Sequence, residues 1–163
     1  MPRTPGALGI RTLLRPRTGA LQRRVKFPLD IALAAKHILS VMQHSPGFLK
    51  VVEEVRPRIR EVTLEEARRR LAANPKAVLI DVREDGEWAA GHAVQAIHLG
   101  RGIFERDIET TIPDPDTECI LYCGGGYRSA LVAEVAQRMG YKNVASLIGG
   151  YKALAAADWP TTT

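Results

Sequence analysis

The chain has 163 residues, of which 45% are hydrophobic and 25% charged, values that fit a soluble globular domain of ordinary size with some chain to spare. No apolar run approaches the ~20 residues a membrane-spanning helix needs, and the first 29 residues lack the apolar core of a secretory signal, so neither is expected. The net charge of +5 hints at nucleic acid until it is located: Arg3, Arg11, Arg15, Arg17, Arg23, Arg24 and Lys26 lie within residues 1–27 without one acidic neighbour, and removing these seven leaves −2 for residues 28–163. The basic tail reads first as a solvated, disordered segment, second as an organelle transit peptide, and last as a nucleic-acid or lipid contact.

Residues 28–57 read as a helical extension. Asp30 can cap an amphipathic segment whose stripe is Ile31, Leu33, Ala34, Ile38, Val41 and Met42. Such a stripe suits core packing better than partner binding. His44-Ser45-Pro46-Gly47 should break it, and a second short helix is expected over Phe48–Val55, stopping before Pro57.

The main domain is expected over residues 58–160. Ile59 to Val62 fits a short edge strand, and Thr63-Leu64-Glu65-Glu66 fits a capping box opening a helix to about Ala73, which Asn74-Pro75 ends. Ala77 to Val82 is an unbroken aliphatic run and the best candidate for a central strand. A short helix over Glu84–Ala90, a strand over Ala96–Leu99 and a helix over Ile103–Thr111 follow. After the next strand, loop and helix, Val144 to Ile148 gives a last strand and Tyr151 to Ala157 a last helix. Strands alternating with helices predict an α/β fold, a central parallel sheet of about five strands with helices on both faces. Ligands then bind beyond the carboxyl ends of the strands, where Asp81 and Cys123 are expected.

The chemistry concentrates in Glu118 to Ser129. Cys119 to Cys123 is an apolar strand, Gly124-Gly125-Gly126 permits a tight loop with inward N–H groups, and Ser129 can cap the helix that starts there. Loop amides, a helix N-terminus and Arg128 all favour thiolate at Cys123, making it the candidate nucleophile. The two cysteines are expected to remain unpaired. Four strand steps put their Cα atoms ~13 Å apart, beyond the ~7 Å a disulfide allows. Cys119 then serves as a small buried apolar residue, and an unpaired Cys123 suits a reducing compartment. His37, His44, His92 and His98 form no zinc-finger spacing with either cysteine, so no metal or cofactor is expected.

Cys123-Gly-Gly-Gly-Tyr-Arg-Ser129 resembles the active-site loop of single-domain rhodanese-like sulfurtransferases. Asp81-Val-Arg83-Glu84, Glu87-Trp88-x-x-Gly91-His92 and Gly149-Gly150-Tyr151 resemble further motifs of that family, in the same order. The resemblance covers about residues 58–160. It departs at Ala93-Val94-Gln95-Ala96, where the family usually has Ile-Pro-Gly-Ala, and the missing Pro and Gly should loosen that turn. It departs again at Leu154, where a Trp is common, and at Asp158, where a Gly often stands.

The resemblance implies transfer of sulfane sulfur from a donor such as thiosulfate or a persulfide to a thiol or dithiol acceptor, through a persulfide on Cys123. Cys123 and Arg128 would be catalytic. Gly124, Gly125, Gly126, Tyr127 and Ser129 would cradle the donor sulfur. Arg83 is an ion-pair partner of Asp81 or Glu87 in one reading and a substrate ligand in the other. Asp81 would support the site, and Arg101, just past a strand end, could add positive potential. Small-molecule donors are the expected partners, with no nucleic acid and no membrane span. The expected compartment is the cytoplasm, or an organelle matrix if the tail is a transit peptide.

Two alternatives remain at this point. Cdc25-type phosphatases and arsenate reductases share the fold but carry five residues between Cys and Arg, and the four found here make a smaller ring of amides, sized for sulfur. The other is a non-catalytic binding module that uses the N-terminal helices.

Overall fold

The computed structural model describes residues 44–163, which form one compact unit. The basic tail and the stripe of Ile31 to Met42 lie outside the described residues.

The first helix, α1 (Pro46–Val55), begins two residues earlier than its apolar pattern suggests. Ser45 accepts a bond from the Phe48 amide at 3.3 Å, and Pro46 occupies the first helical position. The Ser-Pro-Gly run is therefore a helix start as well as a break, because proline lacks only an N–H that would be unpaired there anyway. Val52 and Val55 bury against Ala130 and Leu131 of a later helix, which ties this part of the extension to the sheet domain.

Strand β1 (Arg60–Val62) leads to α2 (Leu64–Ala73), capped by Thr63 accepting from the Glu66 amide. Half of the expected capping box forms. The Glu66 carboxylate turns instead to Arg70, one helical turn on. Then come β2 (Val78–Asp81), α3 (Asp85–Ala89), β3 (His92–Ala93), β4 (Ala96–His98) and α4 (Phe104–Thr111). The chain finishes with β5 (Cys119–Tyr122), α5 (Tyr127–Arg138), β6 (Val144–Leu147), α6 (Gly150–Ala156) and β7 (Thr161–Thr162).

Five strands pair in parallel in the order β1-β6-β5-β2-β4. The aliphatic run of β2 is an interior strand as expected, but the middle position belongs to β5, whose four residues are all buried. Alternation along β5 sends Cys119 and Leu121 to one face and Ile120 and Tyr122 to the other. The first face packs with Phe104, Ile108, Val132 and Ala136 of α4 and α5. The second packs with Ala67 of α2 and Leu154 of α6. Leu154, where the family often places Trp, is fully buried in this layer. Helices therefore cover both faces, as the alternating pattern required.

The β3–β7 pair was not foreseen. His92 and Ala93 pair antiparallel with Thr162 and Thr161, and the Val94 amide donates to the Pro160 carbonyl at 3.0 Å. The turn that lacks Pro and Gly is thus fastened by Pro160 and β7.

Candidate functional site at the end of the middle strand

Register sets the site. Asp81 of β2 lies opposite Tyr122 of β5, so the chain leaving both strands emerges at the same carboxyl edge of the sheet. Cys123 is the first residue beyond β5, and α5 begins four residues later.

The intervening loop is held from below. The Cys123 carbonyl accepts from the Tyr151 amide at 2.6 Å, and the Gly124 carbonyl accepts from the Lys152 amide at 3.2 Å. With those carbonyls drawn toward α6, the Gly126 amide reaches inward and donates to Cys123 Sγ at 3.2 Å. Gly126 makes this bend with φ +90° and is itself the cap of α5. A side chain at 126 would also meet the Gly149 nitrogen and the Leu147 carbonyl oxygen at 3.1 Å.

That geometry corrects the expected role of Ser129. It is the third residue of α5 and not its cap, because the left-handed Gly126 turns the chain into the helix earlier. The Ser129 hydroxyl, fully buried, lies 3.7 Å from Cys123 Sγ and 2.8 Å from Ser146 Oγ of β6. Ser129 therefore touches the sulfur, and Ser146 fixes Ser129. Nothing in the sequence singled out Ser146. Its signal is a hydroxyl on the inward side of an otherwise apolar strand next to β5.

Arg128 folds back over the loop. Its Nη1 and Nη2 donate to the Glu87 carboxylate at 2.6 and 2.8 Å, and Glu84 lies 3.7 Å from Nη1. The pairing raises the Arg128 pKa, chiefly through the Glu87 hydrogen bond and against the cost of burial, with the charge at Cys123 adding to it. Arg128 reciprocally holds the Glu87 carboxyl below the usual carboxylate range. Glu87 also accepts from the Glu84 amide at 3.3 Å, so the start of α3 orients the carboxylate.

Arg83 takes the structural alternative. Its Nε and Nη2 donate to the Asp81 carboxylate at 2.7 to 3.0 Å, and Nη2 also donates to the Gly91 carbonyl at 2.7 Å. Its guanidinium stacks 4.0 Å from the Tyr151 ring centroid, and only 4% of the residue is exposed. Asp81 is thereby held in a buried pair with Arg83, and Glu87 pairs with Arg128 instead. Arg101 is exposed beyond β4, its amide bonded to the Val82 carbonyl, and no contact ties its side chain to the loop. His92 and His98 both stack with Trp88, and their ring nitrogens meet the Trp88 and Arg83 carbonyls, so they act as packing residues.

Cys119 and Cys123 are both free. Burial, then the nearby Glu118 charge, pushes the Cys119 thiol up to about 12, which leaves it inert at neutral pH. No group of His, Cys, Asp and Glu among the described residues is arranged to hold a metal.

Tyr127 connects the extension to the loop. A Cβ at Gly125 would sit 3.5 Å from its ring, so the ring lies against the loop backbone. On its other sides stand His44 at 4.6 Å and Phe48 at 6.3 Å between centroids, with Arg56 at 5.4 Å. Nothing in the sequence of α1 points to this contact. Phe48→Ala is expected to lower stability by about 2 kcal/mol, since the ring is only half-buried, and to lower kcat/KM several-fold by freeing Tyr127. Denaturant titration and steady-state rates check this; an unchanged kcat/KM would mean that α1 does not steady the loop.

A parallel α/β domain with a free cysteine and a glycine loop at the carboxyl edge of its middle strand defines the class. The family model described as a rhodanese-like domain matches residues 63–157, and the chain belongs to that family. It is 35% identical over 86 residues to the Bacillus subtilis (strain 168) protein named "Putative sulfurtransferase YtwF", an alignment covering 53% of this chain and 82% of the relative. A solved structure from Rhodopseudomonas palustris CGA009, titled a protein of unknown function and possible tyrosine phosphatase, is 29% identical with a TM-score of 0.64, over 74% of this chain and 98% of that one. The human single-domain sulfurtransferase TSTD1 shares the fold at 24% identity and a TM-score of 0.53, over 60% of this chain and 96% of that one.

Proposed function

We propose that the protein is a sulfurtransferase that carries sulfane sulfur on Cys123. One observation supports this above the rest: Cys123 Sγ sits in a four-residue loop, taking a bond from the Gly126 amide with the Ser129 hydroxyl beside it. Family membership and the YtwF relative agree with it. The Cys123 thiolate attacks the outer sulfur of thiosulfate or a persulfide, the S–S bond breaks, and sulfite or a thiolate leaves with the bonding pair. The resulting persulfide anion finds the same donors, Gly126 N–H and Ser129 O–H, around its sulfur atoms. A thiol or dithiol acceptor then attacks the terminal sulfur and restores the Cys123 thiolate. Two half-reactions through a covalent intermediate give ping-pong kinetics. A free working thiol suits a reducing compartment, the cytoplasm or an organelle matrix. No helix among the described residues is long and apolar enough to cross a membrane.

Intact-mass analysis tests this directly. Incubation with thiosulfate or with an alkyl hydropersulfide should add one sulfur atom, mapped to Cys123 and removed by reductant. No adduct from either donor, or an adduct confined to Cys119, would sink the proposal. The Rhodopseudomonas palustris protein, described as a possible tyrosine phosphatase, favours one rival, aryl phosphate hydrolysis. The four-residue loop argues against it, and Cys123-dependent release of a phenol and inorganic phosphate without persulfide formation would reverse the assignment.

A further inference from the structure

Arg128, the cation that folds over the loop, is already paired with a carboxylate. Arg128 presents its two terminal nitrogens end-on to Glu87, the fork geometry in which guanidinium binds any carboxylate or oxyanion. Glu84 lies within 3.7 Å of the same guanidinium. One positive charge therefore stands between two negative ones. The pair also lies close to the nucleophile: a Cβ on Gly124, the residue after Cys123, would be 3.3 Å from Arg128 Nη2 and 3.6 Å from Glu87 Oε1. Arg83 offers no relief, since it is buried on Asp81. An incoming oxyanion must displace a tethered carboxylate to reach Arg128, and meets Glu84 and Glu87 as it approaches.

We propose that Glu87 is a specificity-determining residue: by occupying Arg128 it selects against dianionic donors such as thiosulfate and for hydropersulfides whose carrier bears an ammonium group. The inference rests on the sulfurtransferase reading. The half-reaction balances without a co-reactant: the Cys123 thiolate bonds to the outer sulfur of R–S–SH, the S–S bond breaks, and R–S− departs. An ammonium on R can then pair with Glu84 or Glu87 while the sulfur enters the loop.

The test compares two hydropersulfides of similar size, 2-aminoethyl and 2-carboxyethyl, together with thiosulfate. The wild-type protein should favour the aminoethyl donor in kcat/KM. Glu87→Gln keeps the size but loses the charge and one of the two oxygens that accept from Arg128. It should shrink that preference by about fivefold, the effect of one charge at ~4 Å in water, and raise thiosulfate use by a similar factor. Glu84→Gln, at an exposed position, should move the ratio the same way by less, and serves if the first variant does not fold. Alkylation of Cys123 by iodoacetate relative to iodoacetamide reads the same charge selection without any sulfur transfer, and should rise in Glu87→Gln. A folded Glu87→Gln protein with both ratios unchanged overturns the inference. Failure of the wild-type protein to form a persulfide overturns instead the reading beneath it, while the alkylation ratio still reports on Glu87.

Discussion

Cys123→Ser should reduce sulfur transfer to the uncatalysed background, a loss of at least about 10⁴-fold, as is usual when a covalent nucleophile is removed. The reason is chemical more than steric. Serine fits the space and can still accept from the Gly126 amide that reaches Cys123 Sγ at 3.2 Å. A hydroxyl is almost wholly protonated at neutral pH, and oxygen forms no stable bond to the transferred sulfur. Thermal stability should therefore change little while turnover disappears. Cys119→Ser separates the two thiols. It puts a hydroxyl in a fully buried apolar layer and should cost stability without removing activity from the molecules that fold. Retained turnover in Cys123→Ser, measured with thiosulfate and cyanide, would refute covalent catalysis at this residue.

The loop was legible because its chemistry is local. An apolar run, three glycines and a helix pattern are consecutive, so neither topology nor register was needed to place Cys123 at a strand end. The sheet was legible for a similar reason, since alternating strands and helices allow few topologies. What the sequence could not show is pairing across distance. Arg83 and Arg128 both lie near Glu87 in any sketch of the fold. Only the buried turn after β2 decides that Arg83 goes to Asp81 and leaves Glu87 to Arg128. Ser129 looked like a cap because serine favours that position, and the left-handed Gly126 overrode the propensity. β7 escaped notice because two exposed threonines carry no burial pattern. Likewise, α1 read as part of an extension packed on the main domain, and nothing in its sequence points to the ring of Tyr127.

Gly150→Ala is expected to be the most damaging change that leaves every loop residue intact. An added Cβ would stand 2.1 Å from the Cys123 carbonyl oxygen, 2.9 Å from its carbon and 3.0 Å from the Gly125 nitrogen. All three are backbone atoms, so no side chain can swing aside. The φ of +53° at Gly150 is left-handed and adds about 1–2 kcal/mol of strain for any residue with a Cβ. Relief requires moving either the start of α6 or the loop, and both routes break the 2.6 Å bond from the Tyr151 amide to the Cys123 carbonyl. We expect a loss of about 3–4 kcal/mol in stability, at the severe end for a single substitution, and reduced turnover in whatever fraction folds. Gly140→Ala isolates the strain. Its φ is +97°, but nothing lies within 4 Å of the added atom. It should cost only the strain, about 1–2 kcal/mol, with kcat per folded molecule unchanged. If the two variants prove equally stable and equally active, the contact between α6 and the loop does not shape the site, and the inward turn of the Gly126 amide must have another cause.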